Sequence, residues 1–171
     1  MEKSLSNEEI IDYLKDIKVV PYSDIKNYHT INDLLAPFDK VVILYRTAHT
    51  YGHWCCIFRS RERDEIEFFD PYGLIIDDQL SYNNDKQFQR QYGQNHFFLT
   101  RLLAEVNEDV SYNHHKLQKF GPNINTCGRW CILRLLNTDL SLKDFKRLLD
   151  VEKKRLKCKT YDDLVVKLIK I

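Results

Sequence analysis

The run Gly52-His53-Trp54-Cys55-Cys56-Ile57-Phe58-Arg59, then Ser60-Arg61-Glu62-Arg63-Asp64, then Glu65-Ile66-Glu67-Phe68-Phe69-Asp70-Pro71-Tyr72-Gly73 decides how this chain folds. Two stretches rich in Ile, Phe, Trp and Cys, each of strand length, flank five consecutive polar or charged residues. That pattern predicts an antiparallel hairpin with strands over His53 to Arg59 and Glu65 to Asp70. Antiparallel pairing lays the start of one strand beside the end of its partner, so His53 and Asp70 are expected at one edge of the sheet.

Outward from the hairpin, Lys40 to Arg46 reads as a neighbouring strand. Upstream, Ser6-Asn7-Glu8-Glu9 is a capping box leading into Ile10, Ile11 and Leu14, which predicts a helix to about Lys15. Pro21 to Thr30 reads as a loop, and Thr30-Ile31-Asn32-Asp33-Leu34-Leu35 as a short capped helix ending before Pro37. Downstream, the polar stretch Asp77 to Asn95 predicts loop mixed with helix, followed by a helix-like apolar pattern from Phe97 to Val106. Val110 to Phe120, including His114 and His115, predicts another strand, broken by Gly121-Pro122-Asn123. Ser141-Leu142-Lys143-Asp144 and Thr160-Tyr161-Asp162-Asp163 each start a helix. The expectation is an α+β fold in a single domain over 1–171, with a mostly antiparallel central sheet flanked by helices.

Composition narrows the function. Lys plus Arg total 26 against 25 Asp plus Glu, so no large field points to nucleic acid or an anionic membrane. No apolar run approaches the roughly 20 residues of a membrane span. Five cysteines (Cys55, Cys56, Cys127, Cys131, Cys158) are an odd number, and the polar Met1 to Glu9 segment is no secretory leader. Reduced thiols in an intracellular, cytoplasmic setting are expected.

The third informative phrase is Asn125-Thr126-Cys127-Gly128. Cys131, Ile132, Leu135 and Leu136 follow at helical spacing, so Thr126 or Asn125 is the N-cap and Cys127 falls in the first turn. Unpaired amides and the positive end of the helix dipole favour a thiolate there, and the Cys127 N–H can donate to an oxyanion. A thiol hydrolase also needs an imidazole to take the proton and a carboxylate to orient it, the types that His53 and Asp70 supply. Each of the three has an ordinary alternative: a buried helix cysteine, a solvated histidine, the first residue of a turn. Gly128 would leave room for a substrate backbone, and Trp54 would wall a narrow cleft. Cys55 and Cys56 point to opposite faces of a strand and no Cys-x-x-Cys knuckle is present, so neither a metal nor a cofactor is expected.

At these residues the chain resembles the cysteine peptidase superfamily that contains adenain, the adenoviral proteinase, and the SUMO-type ubiquitin-like-protein proteases. The likeness lies in a His-Trp at a strand start, an acid in a phrase like Phe69-Asp70-Pro71-Tyr72-Gly73, a Cys-Gly opening a helix, and Gly121-Pro122-Asn123 ahead of it, over about residues 40 to 137. The resemblance implies a papain-like fold of the adenain type with Cys127 as nucleophile, His53 as base, Asp70 as orienting acid and Trp54 lining the substrate groove. The family also places a Gln six or seven residues before its cysteine, where this chain has Gly121 and Phe120. Gln118 is the first substitute for that oxyanion donor, and Asn123 and Asn125 are further amides within reach. Implied functions are cleavage of peptide or isopeptide bonds after small residues of the Gly-Gly or Gly-Ala type, in maturation of viral precursor or capsid proteins within a virion or virus factory. Removal of ubiquitin or a ubiquitin-like modifier is a second possibility, and a non-catalytic capsid or scaffold protein that keeps the fold is a third.

Overall fold

In the computed structural model the two quoted runs pair antiparallel as β3 (Gly52–Ser60) and β4 (Glu65–Phe69), with Cys56 opposite Phe69 and Ser60 opposite Glu65. Residues 3–81 and 85–171 are described, so the start of the polar Met1 to Glu9 segment and part of the Asp77 to Asn95 stretch lie outside the described residues. β2 (Lys40–Arg46) pairs antiparallel with β3 on its other side. The edges differ from expectation: β1 (Lys18–Pro21) joins β2 in parallel, and β5 (Asp109–Tyr112) joins β4 in parallel. The sheet, in the order β1-β2-β3-β4-β5, is therefore mixed rather than mostly antiparallel. The edge strands pair in parallel because each is joined to its neighbour by a crossover carrying helix instead of by a tight turn. The fold is α+β.

Capping chemistry sets the helix starts. Ser6 and Thr30 form capping boxes ahead of α1 (Asn7–Leu14) and α2 (Ile31–Leu35). α3 (Lys86–Gln91) and α4 (Phe98–Leu103) follow, separated from β4 by a 3-10 turn at Asp78–Ser81. α5 (Cys127–Leu135), α6 (Leu142–Arg155) and α7 (Tyr161–Leu168) complete the chain. The Pro21 to Thr30 stretch is less of a loop than its sequence suggests, since it supplies the end of β1 and a 3-10 helix, Tyr22–Asn27. The strand expected over Val110 to Phe120 ends at Tyr112, and His114 and His115 follow it.

Strand alternation builds a separate core on each face of the sheet. Val41, Ile43, Cys55, Ile57, Ile66 and Phe68 pack against α2 and α4. Val42, Trp54, Cys56, Phe58 and Phe69 pack against α1, α5, α6 and α7. All five cysteines are free thiols, and among the described residues no helix is long and apolar enough to cross a membrane.

Every residue of α5 is buried, including Arg134, whose Nε and Nη2 donate to Glu67 Oε2 and Oε1 at 2.7 and 2.8 Å. Burial pushes the Glu67 carboxyl up, and Arg134 opposes that. The guanidinium also donates to Asn137 O and Leu140 O and lies between the Phe58 and Phe145 rings. Removing one partner of a buried pair leaves the other charge stranded. Arg134→Ala is expected to lower stability by about 3–5 kcal/mol in chemical denaturation, and the double change Arg134→Met, Glu67→Met to cost far less. A loss under about 1 kcal/mol for Arg134→Ala, the range of exposed pairs, would show that the pair does not fasten α5 to the sheet.

Candidate active site

The hairpin carries His53 and Asp70 to one end of the sheet. Cys56 pairs with Phe69, so Asp70 follows just beyond the last paired residue of β4, and His53 Nε2 sits 2.8 Å from its Oδ1. Both groups are buried, at 4% and 0% exposure. From the first turn of α5, Cys127 lines the same cleft as His53 and adds to the interactions that hold the imidazolium. The histidine, aspartate and cysteine named from sequence are thus brought together beside a cleft of 580 Å³ that His53, Cys127, Tyr72, Gln79 and Gln118 help to line.

Burial by itself would lower the pKa of His53, but the charge and hydrogen bond of Asp70 and the neighbouring Cys127 overcome it and hold the imidazolium up to about 10. Tyr72 stacks on the imidazole with ring centroids 4.3 Å apart and 13° between planes, and Phe120 stacks on the far face of Tyr72 at 4.0 Å. Tyr72 N–H also donates to Asp70 Oδ1 at 2.8 Å.

Thr126 precedes α5, but its hydroxyl does not cap the helix. It donates instead to Asp162 Oδ1 at 2.6 Å, and the other oxygen of that carboxylate accepts from Lys119 N. The start of α7 thereby braces both ends of the loop before Cys127, and Thr126 supplies no side-chain cap to α5.

Three sequence expectations do not fit this geometry. Trp54 alternates with His53 along β3, so its ring enters the opposite core, 3% exposed, with Nε1–H donating to Leu5 O at 3.1 Å; it does not line the cleft. Gly128 makes room for Leu5: a Cβ there would come within 3.1 Å of the Leu5 Cβ, so the missing side chain serves the N-terminal segment rather than a substrate. Asn123 faces a separate depression between Lys119 and the start of α7. Gln118 does line the cleft and is buried, with Nε2 donating to Ile124 O at 3.1 Å and Tyr72 Oη at 3.3 Å.

Sequence reading passed over several participants. Ser4 joins the cleft wall because Trp54 and Arg129 hold Leu5 and Lys3 by their carbonyls. Gln79 donates from Nε2 to Asp70 Oδ2 at 2.9 Å, and Cys55 Sγ lies within 4.8 Å of the same carboxylate. Burial, then the Asp70 charge, pushes the Cys55 thiol up. Nothing in the polar stretch around Gln79 signals its role, whereas Cys55 could be found from strand alternation, two residues after His53. Among the described residues, His53, Cys55 and Asp70 form the one group whose ligand atoms lie within 4.8 Å of one another. Within that group, His53 Nε2 is already bonded to Asp70 Oδ1.

No protein-family model matches the chain. It is 39% identical over 150 residues to a protein of Sputnik virophage, uncharacterized protein V9, with 86% of this chain and 83% of that protein covered. The chain belongs to the family of this virophage protein.

The raised His53 pKa makes a stability prediction. A group whose pKa rises on folding stabilises the fold fully below its unfolded value, about 6.5, and the contribution fades as pH climbs to its folded value, here about 10. The stability difference between the natural protein and His53→Gln, from denaturation curves, is expected to shrink in favour of the variant between pH 6.5 and 10. A difference that stays constant across that window would mean that His53 is neutral in the folded state.

Proposed function

We propose that the protein is a thiol peptidase of the adenain and SUMO-protease type. The observation that carries this reading is the buried 2.8 Å bond between His53 Nε2 and Asp70 Oδ1, with Cys127, at a helix start, lining the same cleft as that imidazole. In this mechanism His53 takes the thiol proton and the Cys127 thiolate attacks the substrate carbonyl carbon. The oxyanion faces the Cys127 amide at the start of α5, with Gln118 as a side-chain amide in the cleft. The intermediate collapses as His53 protonates the departing amine, leaving a thioester on Cys127. His53 then deprotonates a water, which attacks the thioester, releases a carboxylate and restores the thiol.

The substrates proposed are peptide or isopeptide bonds after small residues, in viral precursor or capsid proteins. A relative in a virophage supports a viral setting. One observation favours the non-catalytic alternative, a virion structural protein with a peptidase-like fold: the Gln118 amide nitrogen already donates to Ile124 O and Tyr72 Oη.

Alkylation separates the two. Iodoacetamide near pH 7, with peptide mapping, is expected to modify Cys127 at least tenfold faster in the natural protein than in His53→Ala. Equal and slow labelling in both would support the structural reading. Release of dye from a ubiquitin-like modifier ending in Gly-Gly would move the substrate assignment to deconjugation, and cleavage confined to viral precursors would hold it at maturation.

A further inference from the structure

Asp70 receives donors from three separate parts of the chain. His53 comes from β3, and Tyr72 N–H from the turn after β4. Gln79 comes from the 3-10 turn Asp78–Ser81. Oδ1 accepts from His53 and Tyr72, whereas Oδ2 accepts from Gln79 at 2.9 Å. The Gln79 side chain is 7% exposed and lines the same cleft as Cys127.

The turn that carries Gln79 is itself anchored. Two residues earlier, Asp77 takes a positive φ of 65°, and its buried carboxylate accepts from Tyr45 Oη at 3.0 Å and from Thr100 N and Oγ1 at 2.9 and 2.7 Å. One residue after Gln79, Leu80 O accepts from Gln89 Nε2 at 2.6 Å. β2, α4 and α3 therefore hold the turn from both sides, and the Gln79 amide is a fixed donor rather than a surface side chain that happens to reach. An amide also suits the place chemically: it donates to a carboxylate without competing for its proton.

We infer that Gln79 is a positioning residue for the proposed hydrolase, its amide N–H holding Asp70 Oδ2 so that Oδ1 stays on His53 and the imidazole keeps the proton that Cys127 gives up. This inference rests on the thiol-hydrolase reading of the site. The titratable groups facing Asp70 are His53 and Cys55 from β3, Tyr72 from the following turn, and Cys127 from α5 beyond His53. Asp77 on the Gln79 segment is turned to Tyr45 and Thr100.

The pH profile of Cys127 alkylation by iodoacetamide, from pH 4 to 10, tests it in the full chain. The natural protein is expected to show a reactive shoulder below pH 8, the signature of a thiolate–imidazolium pair. Gln79→Ala is expected to cut that shoulder roughly tenfold and move its alkaline end to lower pH, with the two proteins converging at pH 10. Gln79→Glu keeps size and shape if the alanine variant misfolds: protonated, it can donate to Asp70 and retain the shoulder near pH 4, and ionised, it repels Asp70 and loses the shoulder by pH 7. A shoulder unchanged in both variants overturns the role of Gln79 alone. Absence of a shoulder in the natural protein overturns the hydrolase reading and this inference with it.

Discussion

A nine-residue helix with no exposed residue has to find partners on every side, and α5 finds them in the sheet, in α1 and α7, and in both ends of the chain. Its C-terminal half is fastened by Arg134 to Glu67 on β4. Arg129 reaches the carbonyls of Lys3 and Ile169. Two charges buried without each other would each cost several kcal/mol, so the bidentate geometry restricts where α5 can lie on β3 and β4. Because Cys127 is the first residue of that helix, the same restriction sets where the thiol meets His53.

At the end of the sheet the constraint is polar. An Asp buried to 0% exposure needs its lone pairs satisfied, and Asp70 has donors from β3, from its own turn and from the Asp78–Ser81 turn. The result is an imidazole held from two directions, by Asp70 along its edge and by Tyr72 against its face. Arrangements of this kind are stiff because each hydrogen bond limits the rotamers of the next.

The candidate site was legible where local rules sufficed. The hairpin followed from two apolar runs around a polar turn, and it placed His53 and Asp70 together because antiparallel strands meet end to start. Cys127 at a helix start followed from helical spacing after Thr126. Trp54 and Gly128 misled because their neighbours in sequence are catalytic in type, while their neighbours in space are Leu5 and its carbonyl. Leu5 lies 122 residues or more from α5 along the chain, and no local pattern reports such an approach.

Local chemistry in the sequence determined the capped helices α1, α2, α6 and α7, the three central strands and the order of base, acid and thiol along the chain. Tertiary structure alone decided that the edge strands run parallel, that Thr126 bonds Asp162 instead of capping α5, and that Gln79 completes the shell of Asp70. Capping and alternation depend on residues a few positions apart, where covalent geometry fixes the approach. Satisfaction of a buried polar group depends on which distant segment supplies a partner, and that is settled only when the two cores pack against the sheet.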